Sequence, residues 1–350
     1  MRKKYRVAIL KAVFIMAFVL GLFLIWEKRS TFKIVPAQTG PVNEEEKTVE
    51  QSNGPKSPIS GLACENGQRR PLAIMLGGDA VARPLSGISE ADLVFEMQVI
   101  EGSITRLMAV FVCATPGQIG AVRSARDDFI PLALGLDAIY AHWGGSHFAL
   151  DLLKTGIADN IDALPNPYSA FYRQSGIVAP HNGFTSISRL LYAAKNLNYR
   201  TGGKFLGYPH LSDTEISSHG QEKKVLRISY IMPFNIGYEY SPEKNSYLRF
   251  RGGTKEIDKN TGAQVEAKNV VIMRAVSEPL EGQYNKVHVE GDGKAEFYLN
   301  GQVKNGTWKK DKNDPNSKLY FYDEKGQEIK FVPGSIWIEI ADPGMAVTYQ

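Results

Sequence analysis

Between Ile119 and Gly156 the chain repeats one pattern twice: an apolar strand, a short polar loop and a helix. Ile119–Val122 reads as the end of the first strand, and Asp137–Trp143 (DAIYAHW), β-branched and aromatic, reads as the second. The first loop, Arg123-Ser124-Ala125-Arg126-Asp127-Asp128, carries two guanidiniums and two carboxylates in six positions. Ser124 and Asp127 have the capping-box spacing for a helix beginning at Ala125, but Pro131 would then fall in the helix interior and remove a hydrogen bond. A start at Asp127 or Asp128 keeps Pro131 in or beside the first turn, where a missing N–H costs nothing. Arg123–Arg126 is therefore expected as a strand-to-helix loop. The second loop, Gly144-Gly145-Ser146, supplies an N-cap for a helix over His147–Thr155 that Gly156 stops. With parallel strands both loops lie at one sheet edge, beside helix amino ends where anions bind. Arg123, Arg126, His142 and Ser146 would then converge on a ligand. The alternative use of the arginines is a structural network with Asp127, Asp128 or Asp92.

The 350 residues, 43% hydrophobic and 22% charged, suffice for one large or two medium domains with an ample core. A net charge of +4 without any RNP, zinc-finger or basic-helix pattern argues against nucleic acid as a partner. Cys64 and Cys113 form neither CxxC nor a metal spacing, and the six histidines include no HExxH.

Residues 1–6 form a basic tip, and Val7–Trp26 is apolar apart from Lys11, which can snorkel to the inner surface. About 20 residues span a bilayer, and the basic flank keeps the N-terminus inside. A cleaved signal peptide is the rival, but its one small-residue site, Val35-Pro36-Ala37, lies far beyond the apolar run. The expectation is a cytoplasmic tip (1–6), a single-pass signal anchor (7–26) in a cell membrane, and a C-terminal ectodomain outside the cytoplasm. Residues 27–60, rich in Pro, Gly, Glu and Ser, are expected as a flexible linker. In that oxidising setting Cys64 and Cys113 are expected to form a disulfide, buried free thiols being the alternative.

The first globular part, 61–215, contains strands Leu72–Leu76, Asp92–Val99 and Arg106–Cys113 besides the two repeated units. Ile177–Gly183 is a polar loop ahead of a helix over Thr185–Leu197, which places His181 and Asn182 beside a helix amino end. His181 is the candidate for proton transfer, because only histidine titrates near neutrality unperturbed. Its alternative role is to fix the loop by bonding a carbonyl.

From 224 to 350 the pattern becomes short strands and hairpin turns: Val225–Met232, Ser246–Arg251, Asn269–Arg274, Lys286–Val289, Ala295–Leu299, Lys318–Tyr322 and Ser335–Ile340. This spacing reads as an antiparallel barrel or sandwich, so the chain as a whole is α+β, with an α/β first domain (mixed sheet and helices) and an antiparallel β-rich second domain. Its aromatic residues, among them Tyr247, Tyr298 and Trp337, read as core, with a polymer-binding strip as the alternative. No nucleophile with a matching base is evident in this half.

Several stretches resemble the YerB-like family of bacterial envelope proteins, many of them lipoproteins. They are Arg70–Met75, Ala82–Ile88, Ala91–Glu96, Ile104–Phe111, Val122–Arg126, His142–Gly145 and Ala179–Asn182. The resemblance runs from about Ser60 to near the C-terminus. It implies an envelope location and an ectodomain with an α/β N-terminal part and a β-rich C-terminal part, but no activity. The chain departs from the family in lacking a lipobox cysteine, and in carrying Gly77-Gly78 where polar residues often follow the first strand.

Three functions compete. The first is a tethered protein that binds an anionic envelope ligand through Arg106, Arg123 and Arg126, with His142, Ser146 and Asn182 around them; arginine forks suit phosphate and carboxylate. The second is an enzyme. The order of anchor, spacer, Arg126-Asp127 loop and the run Asp137–Gly145 resembles the LytR–CpsA–Psr phosphotransferases, which move glycopolymers from a lipid pyrophosphate. A divalent metal on Asp127 or Asp128 would be needed only there, and His181 and Asp127 would be the catalytic candidates. No other cofactor is expected. The third is a scaffold with no small ligand, its second domain docking another envelope protein; across the three readings the candidate partners are a cell-wall polymer or an envelope protein.

Overall fold

The computed structural model describes residues 54–100 and 103–350. The expected anchor and most of the linker lie outside the described residues; among the described residues no helix is long and apolar enough to cross a membrane. The linker does not extend to residue 60. Lys56 bridges to Ala63, and the buried Ser57 and Ser60 hydroxyls donate to Asp92 Oδ1 at 3.2 and 2.7 Å. Asp92 Oδ2 takes the backbone N–H groups of Val112 and Cys113, so the buried carboxylate is satisfied without any arginine. The Cys64–Cys113 disulfide is formed and fastens this entry segment to the end of a central strand.

One ten-stranded sheet organises the molecule. Across it the order is Tyr320–Asp323, Gln302–Lys310, Gly291–Leu299, Asn269–Arg274, Ile336–Ala341, Leu93–Gln98, Thr105–Phe111, Leu72–Gly77, Ile139–His142 and Asn160–Asp162. The strands of 61–215 and of 224–350 meet side by side in it, so the boundary between the two parts does not divide the sheet. The junction is Ile336–Ala341, parallel both to Leu93–Gln98 and to Asn269–Arg274. The second part is thus not antiparallel throughout, and no separate barrel forms. Its strands divide between this sheet and a smaller one built on Val225–Ile228, Ile236–Ser241 and Ser246–Arg251.

The central strands are apolar on both faces because both are covered. Ala73, Met75, Phe95 and Met108 face one core, which the helices Ile130–Gly135 and His147–Lys154 close with Leu132, Ala133, Ala149 and Leu153. Leu72, Ile74, Val94 and Leu107 face the other, closed by the helix Ile187–Asn196 and by Tyr238, Tyr240 and Tyr247 of the smaller sheet. The helix starts follow from local chemistry. A short turn over Asp127–Phe129 precedes Ile130–Gly135, with Pro131 in its first turn. Ser146 and Ser186 cap the other two by accepting from Ala149 N and Arg189 N.

Charges as well as apolar groups join the two sheets. Glu96 and Glu339 are register partners on adjacent parallel strands, and both are fully buried. Arg249, from the smaller sheet, donates to Glu96 Oε2 and Glu339 Oε1 at 2.5 Å and to Glu256 Oε2 at 2.8 Å. Its guanidinium lies 4.1 Å from the ring centroid of Trp337. Arg251 donates to Glu96 and Glu256, Thr105 Oγ1 lies at 2.5 Å from Glu96 Oε1, and Tyr238 Oη donates to Glu339 Oε1 at 2.6 Å. Burial, reinforced by Glu96 and opposed by Arg249, pushes the Glu339 carboxyl up to about 8. That upward shift favours the protonated form of Glu339, in which two guanidiniums face two carboxylates.

Candidate functional site

The Arg123–Arg126 loop reaches the sheet edge by a route the two-unit reading did not foresee. Ile119–Gly120 is not a neighbour of Ile139–His142; it pairs antiparallel with Gly183–Thr185 in a three-stranded sheet. The loops meet because they bond each other directly: Trp143 N to Arg123 O, Ala125 N to Gly144 O, and Ser146 N to Ala125 O, at 3.0, 2.8 and 3.1 Å. Arg123 N also donates to Met75 O at 2.9 Å, which lays the loop over the end of Leu72–Gly77. Gly77 and Gly78 are there for space. A Cβ at Gly78 would lie 2.3 Å from Thr105 Oγ1, and one at Gly77 would press on Arg123 Cγ at 3.1 Å.

Three guanidiniums gather at this edge. Arg106, opposite Gly77 in the register and 4% exposed, donates to Asp79 Oδ2 at 3.2 Å. Arg123 Nη2 lies 3.7 Å from the same oxygen. Arg126 donates to Ala125 O at 2.9 Å and rests 5.6 Å from the ring centroid of Tyr284. Among the described residues Arg126 has no carboxylate within ion-pair distance, and the buried Nε atoms of Arg106 and Arg126 have no hydrogen-bond partner. Burial, then the neighbouring Arg123, pushes Arg106 down to about 9 despite Asp79. Burial also lowers Arg126.

Asp127 and Asp128 form no ion pair with these arginines, although Asp127 favours the charged form of Arg126. Lys286 Nζ sits 2.9 Å from Asp127 Oδ2 and 2.9 Å from Asp128 Oδ1, and Val287 N donates to Asp128 Oδ2 at 3.0 Å. Burial still raises Asp128 to about 6. An ammonium therefore stands where the phosphotransferase reading needs a metal. Among the described residues no group of three or more His, Cys, Asp or Glu is arranged to hold a metal ion.

His181 joins the cluster, its Nδ1 3.0 Å from Arg123 Nη1. A guanidinium only donates, so Nδ1 accepts and the ring proton sits on Nε2. Burial and then Arg123 lower its pKa, and the ring is neutral.

Three expected ligand residues are used elsewhere. His142 is fully buried, with Nδ1 2.9 Å from Gly144 O and Nε2 3.2 Å from Asn160 Oδ1. The Ser146 hydroxyl, 1% exposed, is occupied as the helix cap. Asn182 accepts from Arg173 at 2.5 Å. The residue that sequence reading missed is Asp79. A single acid after Gly-Gly carries no pattern, and its position at the carboxyl end of the first strand was the only available sign.

Comparison with known proteins places this architecture among relatives. Residues 59–200 match the N-terminal domain, and 227–338 the C-terminal domain, of the protein family of unknown function DUF3048. A relative from Bacillus subtilis (strain 168), named "Putative lipoprotein YerB", is 32% identical over 291 residues, 81% of this chain and 86% of the relative. The crystal structure of the YerB protein from Bacillus subtilis superposes with a TM-score of 0.75 at 29% identity, covering 84% of this chain and 99% of that one.

Proposed function

The chain belongs to the YerB-like family with paired DUF3048 domains, and from that premise we propose that it is a membrane-tethered protein of the bacterial envelope that binds an anionic ligand through Arg106, Arg123 and Arg126. The relative's name supports the location. Where a lipoprotein carries a lipidated cysteine, Val7–Trp26 offers this chain an apolar anchor behind a basic tip. The ectodomain then stands outside the cytoplasm.

The observation that carries the binding role is the charge imbalance at the sheet edge. Two of the three guanidiniums, Arg106 and Arg123, share the one carboxylate of Asp79, Arg126 has none within ion-pair distance among the described residues, and Arg106 and Arg126 keep an unpartnered Nε. A phosphate or carboxylate would supply the missing acceptors and offset the burial cost. His181 fits a binder better than a base, because its only lone pair already faces Arg123 and Nε2–H remains to donate. Lys286 between Asp127 and Asp128 also favours binding over metal-assisted phosphoryl transfer.

The test is the double substitution Arg123→Gln/Arg126→Gln in the full chain in detergent, titrated with pyrophosphate. The expected result is loss of binding with a nearly unchanged melting temperature. Unaltered pyrophosphate binding would defeat the reading. No binding by the wild type at any accessible concentration would leave the scaffold role instead.

A further inference from the structure

Thr105 and Arg106 are adjacent on one strand and so point to opposite faces of the sheet. Arg106 serves the cluster at Asp79, and Thr105 serves the buried glutamates. On the Thr105 side, the segment that follows Asp79 walls a cleft of about 430 Å³, within the range of small-molecule sites. Its floor includes Arg251 and Glu256, which bond each other and are satisfied. Its walls carry two cations that are not. The half-buried Arg83 side chain makes one hydrogen bond among the described residues, from Nε to Asp79 O at 3.4 Å, and Lys255 is exposed. Among the described residues neither has a carboxylate within ion-pair distance, and Glu256, the nearest candidate, is held by Arg249 and Arg251. Pro84 and Pro233 supply apolar wall.

We propose that this cleft is a second binding site, separate from the arginine cluster, for a small molecule bearing one carboxylate or phosphate. The Arg83 fork and the Lys255 ammonium bracket the anion, and the proline walls cover its apolar body. Burial, then Arg251, lowers the Arg83 pKa; Glu256 and Glu96 oppose this without reversing it, and a bound anion would add to their effect.

The test uses the full chain in detergent and two probes, inorganic phosphate and glucuronate, in isothermal titrations. Wild type is compared with Arg123→Gln/Arg126→Gln, which lacks the first site, so that remaining saturable binding reports the cleft. At least one probe should still bind there with a stoichiometry of one. Phosphate alone would assign a phosphate-bearing ligand, and glucuronate alone a carboxylate. Adding Lys255→Glu, a change at an exposed position that leaves folding intact, should weaken it about tenfold, and Arg83→Gln should do likewise. Absence of saturable binding in the double-arginine background, or affinity unmoved by both cleft substitutions, overturns the proposal. Pyrophosphate binding that ignores Arg123→Gln/Arg126→Gln but falls with Arg83→Gln would defeat the first site and leave this one standing.

Discussion

The molecule holds two charged clusters on either face of one strand, and they differ in whether their charges find partners inside the protein. The cluster of Glu96, Glu256, Glu339, Arg249 and Arg251 is closed: each guanidinium has carboxylates within bonding distance, and exposure does not exceed 7%. The cluster of Arg106, Arg123 and Arg126 is open: one carboxylate serves two of the cations at longer range, and Arg126 has none within ion-pair distance among the described residues. Burial costs each group hydration in both places. In the closed cluster most of that cost is met by groups fixed in the fold, Glu339 Oε2 alone among its buried carboxylate oxygens lacking a hydrogen-bond partner, so the charges hold two sheets in one register. In the open cluster it is not met, and the imbalance is available to something that arrives. The number of charged residues would not have separated the two; their pairing does.

The largest expected effect comes from opening the closed cluster. Arg249→Met should destabilise by about 3–5 kcal/mol in denaturant unfolding, because Glu96, Glu256 and Glu339 lose a shared partner while still buried. A loss below about 1 kcal/mol would end the contrast drawn above. Next is the pH dependence of Glu339. Its folded pKa is raised, so its contribution is fully present below about 4.5 and is lost as pH climbs toward 8. Glu339→Gln imitates the protonated form and should be the more stable protein at pH 9, by something on the order of 2 kcal/mol, with little difference at pH 4. Parallel stability curves for the two proteins would show that Glu339 does not hold its proton. Arg106→Met should be neutral or slightly stabilising, by up to about 1 kcal/mol, since it removes an under-paired buried charge. A loss as large as that of Arg249→Met would make the open cluster structural too. The smallest effect is on Arg123→Gln/Arg126→Gln, whose stability should stay within about 1 kcal/mol of wild type in the same unfolding experiment.

Local pattern carried much of this fold. The apolar runs marked Leu72–Gly77, Leu93–Gln98, Thr105–Phe111 and Asn269–Arg274 as strands, and Ser146 marked a helix start. Several strands escaped, most of them short, such as Asn160–Asp162 and Val347–Tyr349, but two of them long. Ile236–Ser241 is an alternating run broken by Gly237, and Gln302–Lys310 shows polar residues along most of its length. The shared sheet was not readable at all, because nothing near residue 93 states that its neighbour lies near residue 336. Charges inside apolar strands were a sign left unused. Glu96 in LVFEMQ, Glu339 in IWIEIA and the arginines of SYLRFR could lie there only if they found one another. Arg123 and Arg126 were visible because they stand together in a loop, whereas the carboxylate beside Arg123, Asp79, came from a distant turn.

The position of Ile336–Ala341 between Leu93–Gln98 and Asn269–Arg274 sets the order of assembly. Synthesis runs from the N-terminus, so every other strand of the large sheet is complete before this one exists. Until it arrives, two long apolar strand edges stand open and their ladders lack a partner. Contacts closed across more than two hundred residues form slowly, and the half-built sheet is the state most exposed to pairing with other chains. A chain that stops before residue 336 therefore lacks the strand that completes the large sheet, and loses Glu339 with it.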